Sequence, residues 1–277
     1  MTWRDDLSAL LETAAAESGP AAVTDILESH LEALKTHPDV PVPPLAPDVP
    51  VLGVDACPAG WVGVVLGPSG RPTVHVGATI KALVAQVREN AEIRVVAIDI
   101  PIGLPDAGGR QADALARAAL PGKGSSVFST LTRSAYLAET YAEGREQNLA
   151  ATDDHFSASA QAYALRTKIL DVDGWVRGSP GGVVIEAHPE LSFARMAGAP
   201  LVERKKDPEG ALVRRETLRR HGIAAPAWFS GSGFAEDDLL DACAIAWTAA
   251  RHADGETESF PAEPEYFSDG LPAVIRV

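Results

Sequence analysis

Residues 51–66 read VLGVDACPAGWVGVVL. Two apolar runs flank a turn at Pro58-Ala59-Gly60, and the first run delivers one carboxylate, Asp55, at its end. The pattern predicts a β-hairpin with strands over 51–55 and 61–66. Gly67-Pro68-Ser69-Gly70 is a second turn signal. Residues 72–77 alternate as a third strand, and Thr79 can cap a helix over 80–90, where Ile80, Leu83, Val84 and Val87 share a face. The almost wholly apolar run 93–100 suits a central strand covered on both sides. Three antiparallel strands, a crossover helix and a parallel strand make the opening of a ribonuclease H-like fold. Helical patterns follow over 110–120, 131–147 and 157–171, then a strand over 182–187, then helices over 189–197, 203–221 and 236–252. The expectation is an α/β domain over 51–277, with a mixed five-stranded sheet flanked by helices and a helical insertion at about 106–178.

Upstream, residues 1–36 show two helical patterns separated at Ser18-Gly19-Pro20, and residues 37–50 are proline-rich. They read as a helical hairpin appendage on an extended linker, and the hairpin offers a surface for packing or oligomerisation. The net charge of −14 argues against broad, nonspecific nucleic-acid binding, which needs a basic face. The two cysteines, Cys57 and Cys243, have no zinc spacing. No run approaches the ~18 apolar residues of a membrane span, and the N-terminus lacks the basic start of a signal peptide. A cytoplasmic protein without membrane contact is expected.

Asp55 gains weight from acids in comparable settings: Asp99 at the end of the run 93–100, Glu186 in the strand 182–187, and Asp238 with Asp241 in the last helix. An ionised carboxylate among apolar neighbours is costly unless paired or bound to metal. Each alone has a plainer reading, a strand-end turn bond or a helix N-terminal acid. That reading accounts for Glu236 and Asp237 and accounts poorly for Asp241, a full turn further in. Asp238 and Asp241 lie at i and i+3 on one face, and the sequence leaves their order open. Such a set of oxygen donors, with no Cys or His cluster, suits Mg²⁺ or Mn²⁺. Two such ions can activate a water and stabilise the leaving oxygen of a phosphodiester.

In an otherwise acidic chain, Arg110, Lys123, Arg133 and Lys205 are the candidate phosphate contacts, with Ser125 and Ser126 beside Lys123. The stretch 122–126 is no Walker loop, because Gly124 stands where Ser or Thr is needed and Arg117 where the first glycine would be. His188 suits proton transfer, a place beside the metal, or an ordinary surface role. Arg214, Arg215, Arg219 and Arg220 read as a solvated helix face.

The motifs GVDACPAGW (53–61), AIDIPIGLP (97–105), KGSSVFS (123–129), EAHPELSF (186–193) and DDLLDA (237–242) together resemble the bacterial and archaeal family known as domain of unknown function 429, over about 51–255. The resemblance implies a predicted nuclease with a ribonuclease H-like fold. It implies acidic site residues at Asp55, Asp99, Glu186 and Asp241, with Asp238 close by, which are the positions the residue chemistry also reaches. The expected function is metal-dependent hydrolysis of a phosphodiester in nucleic acid or a small phosphoester. Two alternatives stand beside it. One is a nucleotide-binding phosphotransferase of the sugar kinase and actin type, although the glycine-rich motifs of that group are not found. The other is a non-catalytic binding protein that retains the fold.

Overall fold

The computed structural model describes residues 16, 19–21, 23, 24, 42–152, 158–178, 180–229 and 231–277. Most of the hairpin expected over 1–36, and the linker before residue 42, lie outside them. Pro43–Val277 form one compact unit, and Met1–Val42 fall in another.

In the larger unit, β1 (Val51–Cys57) and β2 (Gly60–Leu66) form the antiparallel hairpin, and β3 (Thr73–Gly77) extends it. The turn between β1 and β2 closes on Gly60 at φ 131°, where a Cβ would lie 2.3 Å from the Gly77 carbonyl, so only glycine fits. Helix α1 (Ile80–Arg88) starts on Thr79, whose hydroxyl accepts from the Ala82 amide at 3.2 Å, and buries the four apolar residues its periodicity marks. It crosses to β4 (Val95–Ile98), which runs parallel to β1. The insertion is helical: α2 (Gln111–Ala118), a 3₁₀ turn over Gly124–Ser126, α3 (Arg133–Leu137), α4 (Tyr141–Ala151), α5 (Ala160–Ala164) and α6 (Arg166–Arg177). Two expected helices are each divided. Thr140 ends one stretch by starting α4 with a capping box to Glu143, and α5 gives way to α6 at Leu165.

β5 (Val183–Ala187) then joins β4 in parallel, followed by α7 (Pro189–Ala197), α8 (Pro208–Arg220) and α9 (Glu236–Ala253). The chain does not finish there. A hairpin of β6 (Ser259–Tyr266) and β7 (Pro272–Arg276) adds two strands, and the sheet has seven strands in the order β3-β2-β1-β4-β5-β7-β6, not five. β7 runs parallel to β5 for two residue pairs and carries β6 at the edge. β6 reads SFPAEPEY, and its two prolines, two glutamates and Ser259 hide a strand from any apolar pattern. Proline is tolerated in a sheet at such an edge.

Helices cover both faces. Val51, Val95, Ala97, Ile185 and Ala187 share one core with the apolar residues of α7 and α9. Leu52, Val54, Val96 and Ile98 share the other with α1, α3 and α6. Both faces of β1 and β2 are therefore buried, as their uninterrupted apolar runs require. The proline-rich segment from residue 43 belongs to this unit: the Leu45 amide donates to the Gly222 carbonyl at 2.9 Å, and its side chain packs on the α9 core. No helix among the described residues is long and apolar enough to cross a membrane.

Candidate functional site

The site begins with register. β1 and β4 are parallel neighbours with Gly53 beside Ala97 and Val54 beside Ile98, so Asp55 and Asp99 leave the sheet at the same end. The Asp99 amide donates to the Val54 carbonyl at 3.1 Å, which fixes how the chain leaves β4. Alternation puts Gly53 and Asp55, and likewise Ala97 and Asp99, on the side of α9. There α9 lies directly on β1: a Cβ on Gly53 would sit 2.1 Å from the Ala246 nitrogen and 2.4 Å from the Ala242 carbonyl oxygen. Two residues along β1, or about 6.6 Å, correspond to little more than one turn of helix, about 5.4 Å. Asp55 therefore faces the turn of α9 that carries Asp241.

The carboxylates feel one another. Burial pushes the Asp55 carboxyl well above its usual range, and Asp241 and Asp99 push it further. Burial also raises Asp99, against the pull of His188 and Lys205. Asp241, 1% exposed, is raised by burial to about 6 even though Lys205 opposes the shift. Lys205 Nζ lies 2.7 Å from Asp241 Oδ2. Burial works against the ammonium charge, but Asp241, with Asp55 and Asp99 behind it, outweighs that and raises its pKa. Asp55 Oδ1 accepts from the Ala56 amide at 2.8 Å, whereas the buried Asp241 Oδ1 has no hydrogen-bond partner among the described residues.

Asp238 stands apart from this trio in what it does. Its Oδ2 accepts from the Ala235 amide at 2.8 Å, so it caps α9, and it adds only a weaker field at Asp55. The structure thus distinguishes the two acids that the sequence left level, with Asp241 at the centre.

Glu186 is not brought into the group. It pairs with Ile98, so its side chain lies in the row of the α1 face and not in that of Asp55 and Asp99. Its carboxylate is held by Arg110 through Nη1 at 3.2 Å and Nη2 at 2.5 Å, and by the Ile102 amide at 2.8 Å. Glu190 takes the nearer place. It lies in the first turn of α7, on the side of α9, and it raises both Asp99 and Asp241. Its Oε1 pairs with Arg214 Nη2 at 2.5 Å, and its buried Oε2 has no hydrogen-bond partner among the described residues. An acid in the first turn of a helix that follows a strand-end carboxylate was the available signal for it. Arg214 is no solvated residue: its side chain has no exposed surface, and its guanidinium stacks near Phe193.

The expected phosphate contacts divide. Arg110 is buried on Glu186, with Asp113 at 3.4 Å, and Arg133 is held by Asp173 and Asp269. Lys205 is in the group. Ser125 and Ser126 lie exposed in the 3₁₀ turn, and the Ser126 carbonyl is 3.3 Å from His188 Nε2. Lys123 Nζ donates to the Glu203 carbonyl at 3.2 Å, tying this turn to the loop that carries Lys205. A narrow cleft beside Asp99 is lined by Asp113, Phe128, Thr130, Glu186 and His188.

The donor set suits a hard divalent cation in kind: buried carboxylates that raise one another's pKa, and an unpartnered oxygen on Asp241. In the present side-chain positions no three His, Cys, Asp or Glu side chains among the described residues stand close enough together to hold an ion. Lys205 is the cation that the group meets instead.

No curated protein and no solved structure matches the chain. A family model described as "Protein of unknown function (DUF429)" matches residues 53–266, from the start of the Asp55 motif into β6. All the acidic residues of the site lie inside that span, and the chain belongs to this family.

Proposed function

We propose that the chain is a metal-dependent hydrolase of phosphodiester bonds, a nuclease in the broad sense, built on a ribonuclease H-like core. The sheet order β3-β2-β1-β4-β5, with β2 antiparallel and β4 parallel to β1, supports that core; the β7-β6 hairpin is then an addition at its edge. The observation that carries the function is the convergence of Asp55, Asp99 and Asp241 from β1, β4 and α9 at one end of the sheet, each raised by burial and by its neighbours.

These three would hold Mg²⁺ or Mn²⁺, with Glu190 behind them. When bound, such an ion supplies charge stabilisation at the phosphoryl oxygens and lowers the pKa of a water. The residues' own work is to hold the ion, to orient the phosphate and to exclude solvent. Ser125, Ser126 and Lys123 on the insertion loop, with His188 below it, would line the approach. The net charge of −14 favours a short or compact phosphodiester engaged at this end over a long duplex lying across the surface.

The ion pair between Lys205 and Asp241 favours a second reading, a binding protein whose carboxylates are permanently neutralised. Calorimetric titration of chelator-treated protein with MnCl₂ separates the two. The hydrolase reading expects saturable binding that Asp55→Asn weakens by at least about tenfold, by analogy with losses at metal-supporting groups. It also expects Mn²⁺-dependent cleavage of single-stranded, duplex or branched DNA, RNA or a small phosphodiester, lost in the same variant. Binding that is indifferent to Asp55→Asn, or inactivity on every substrate with both metals, would sink it.

A further inference from the structure

Lys205 enters the carboxylate group from the loop between α7 and α8, not from the strands and helix that build the site. Its backbone is held on both sides. The Glu203 carbonyl accepts from Lys123 Nζ at 3.2 Å and from the buried Arg214 Nη1 at 3.3 Å. The Asp207 amide donates to the Arg204 carbonyl at 3.1 Å, and Gly210 packs so closely on that carbonyl that a Cβ would lie 1.8 Å from its oxygen. The side chain is free by comparison: it remains 40% exposed while its partner Asp241 is 1% exposed. A four-carbon stem carrying a strongly hydrated point charge can leave for solvent without moving the backbone.

What it leaves behind cannot relax in the same way. Asp241 lies inside α9, Asp55 is bonded to its own β1 exit, and one buried Asp241 oxygen already lacks a hydrogen-bond partner among the described residues. Removing the Lys205 ammonium from such a group leaves uncompensated buried charge, which is strongly unfavourable unless another cation arrives. Lys205 also lies 3.8 Å from Asp237, a less buried acid toward the start of α9, which gives the ammonium a second anionic partner closer to solvent.

We propose that Lys205 is a displaceable counter-ion: its ammonium offsets part of the negative charge of the Asp55–Asp99–Asp241 group in the metal-free protein and swings out when a divalent cation takes the carboxylates. The inference rests on the metal-binding reading above and adds how that site is regulated. Metal affinity is then set by exchange of one cation for another, and the tether of the 203–207 loop keeps the ammonium ready to return. The outward position also places a positive charge at the rim, where a phosphate bound to the site would meet it.

The test uses the full chain, freed of metal by chelation, titrated with MnCl₂ by calorimetry as wild type, Lys205→Met and Lys205→Gln. Exchange predicts Mn²⁺ binding about tenfold tighter or more without the ammonium. It also predicts a larger rise in melting temperature on adding Mn²⁺, and abolition of the gain when Asp241→Asn is combined with either variant. Lys205→Gln keeps a polar side chain of similar reach and serves if Lys205→Met does not fold. If the wild type binds Mn²⁺ and both variants bind equally or more weakly, Lys205 supports the site instead of competing for it and the proposal fails alone. If no form binds Mn²⁺, the proposal and the metal-binding reading fall together.

Discussion

Arg110 carries a full charge on a side chain with no exposed surface, and Glu186 and Asp113 are the two carboxylates that meet it. Thr130 closes the network, its amide donating to Asp113 at 2.7 Å and its hydroxyl accepting from Arg110 at 3.2 Å. Arg110→Met would leave two buried carboxylates facing each other. It is expected to destabilise the protein by about 3–5 kcal/mol in urea unfolding, the usual cost of breaking a buried pair from one side. Glu186→Gln keeps the Asp113 partner and should cost clearly less. On the proposed reading it should also leave Mn²⁺ affinity unchanged, because Glu186 serves Arg110 and not the Asp55–Asp99–Asp241 group; a loss comparable to that of Asp55→Asn would return Glu186 to the site. This residue shows why the site was only partly legible in the sequence. Alternation tells which residues of one strand share a face. It does not tell which face of β5 matches the Asp55 face of β1, since that depends on the β4–β5 register, Ile98 beside Glu186. Asp55, Asp99 and Asp241 were readable because each interrupts or ends an apolar pattern. Glu190 and the buried Arg214 were harder, because a charged residue in a helix looks the same in sequence whether it meets solvent or a partner.

The contact between α9 and β1 decides whether the aspartates meet. α9 can descend onto the strand because Gly53 has no side chain and Ala242 and Ala246 have small ones, and the closest approach is backbone to backbone. Gly53→Ala would force the helix away from β1 against its own backbone atoms, so the clash cannot be relieved by turning a side chain. Overpacking of this kind typically costs about 1–3 kcal/mol or more. A shift large enough to relieve it would also move Asp241 away from Asp55, so the variant should lose Mn²⁺ affinity even where it still folds. Circular dichroism melts and calorimetry on the same sample check both parts, and a stable variant with wild-type affinity would show that the helix position is not what brings the acids together. The elements of this contact were legible: the apolar runs of β1 and β4 and the helical pattern over 236–252 identify themselves, whereas the closeness that Gly53, Ala242 and Ala246 permit did not show in the sequence. The β6–β7 hairpin was not, because an edge strand with Pro261 and Pro264 carries polar residues where a central strand carries valines.

At the scale of the molecule, the buried acids make an unusual pH dependence. A carboxyl whose folded pKa lies above its unfolded value adds stability that is complete below the unfolded pKa and is lost as pH rises through the folded one. Asp241 moves from an ordinary 3.8 to about 6, Glu186 from 4.5 to about 7, and Asp55 and Asp99 are raised in the same direction. The metal-free protein should therefore become more stable as pH falls from 7.5 to about 5. The net charge of −14 acts in the same sense, because its self-repulsion is relieved by protonation. One proton taken up across one pH unit is worth about 1.4 kcal/mol, or about 2–4 °C in melting temperature at this chain length. Below about pH 4 the trend should turn over. There Asp106, lowered by its bonds to Ser268, and Glu216, lowered by Arg219 and Arg220, lose stabilising charge. Saturating Mn²⁺ should flatten or invert the slope above pH 5, because the metal requires ionised ligands, and Asp55→Asn should reduce the slope in the metal-free protein. Melting temperatures recorded from pH 4 to 8 at fixed ionic strength, with chelator and with Mn²⁺, measure all of this. A metal-free melting temperature that climbs steadily from pH 5 to 7.5 would mean that Asp55, Asp99 and Asp241 are already compensated in the fold, with nothing left for a metal to neutralise.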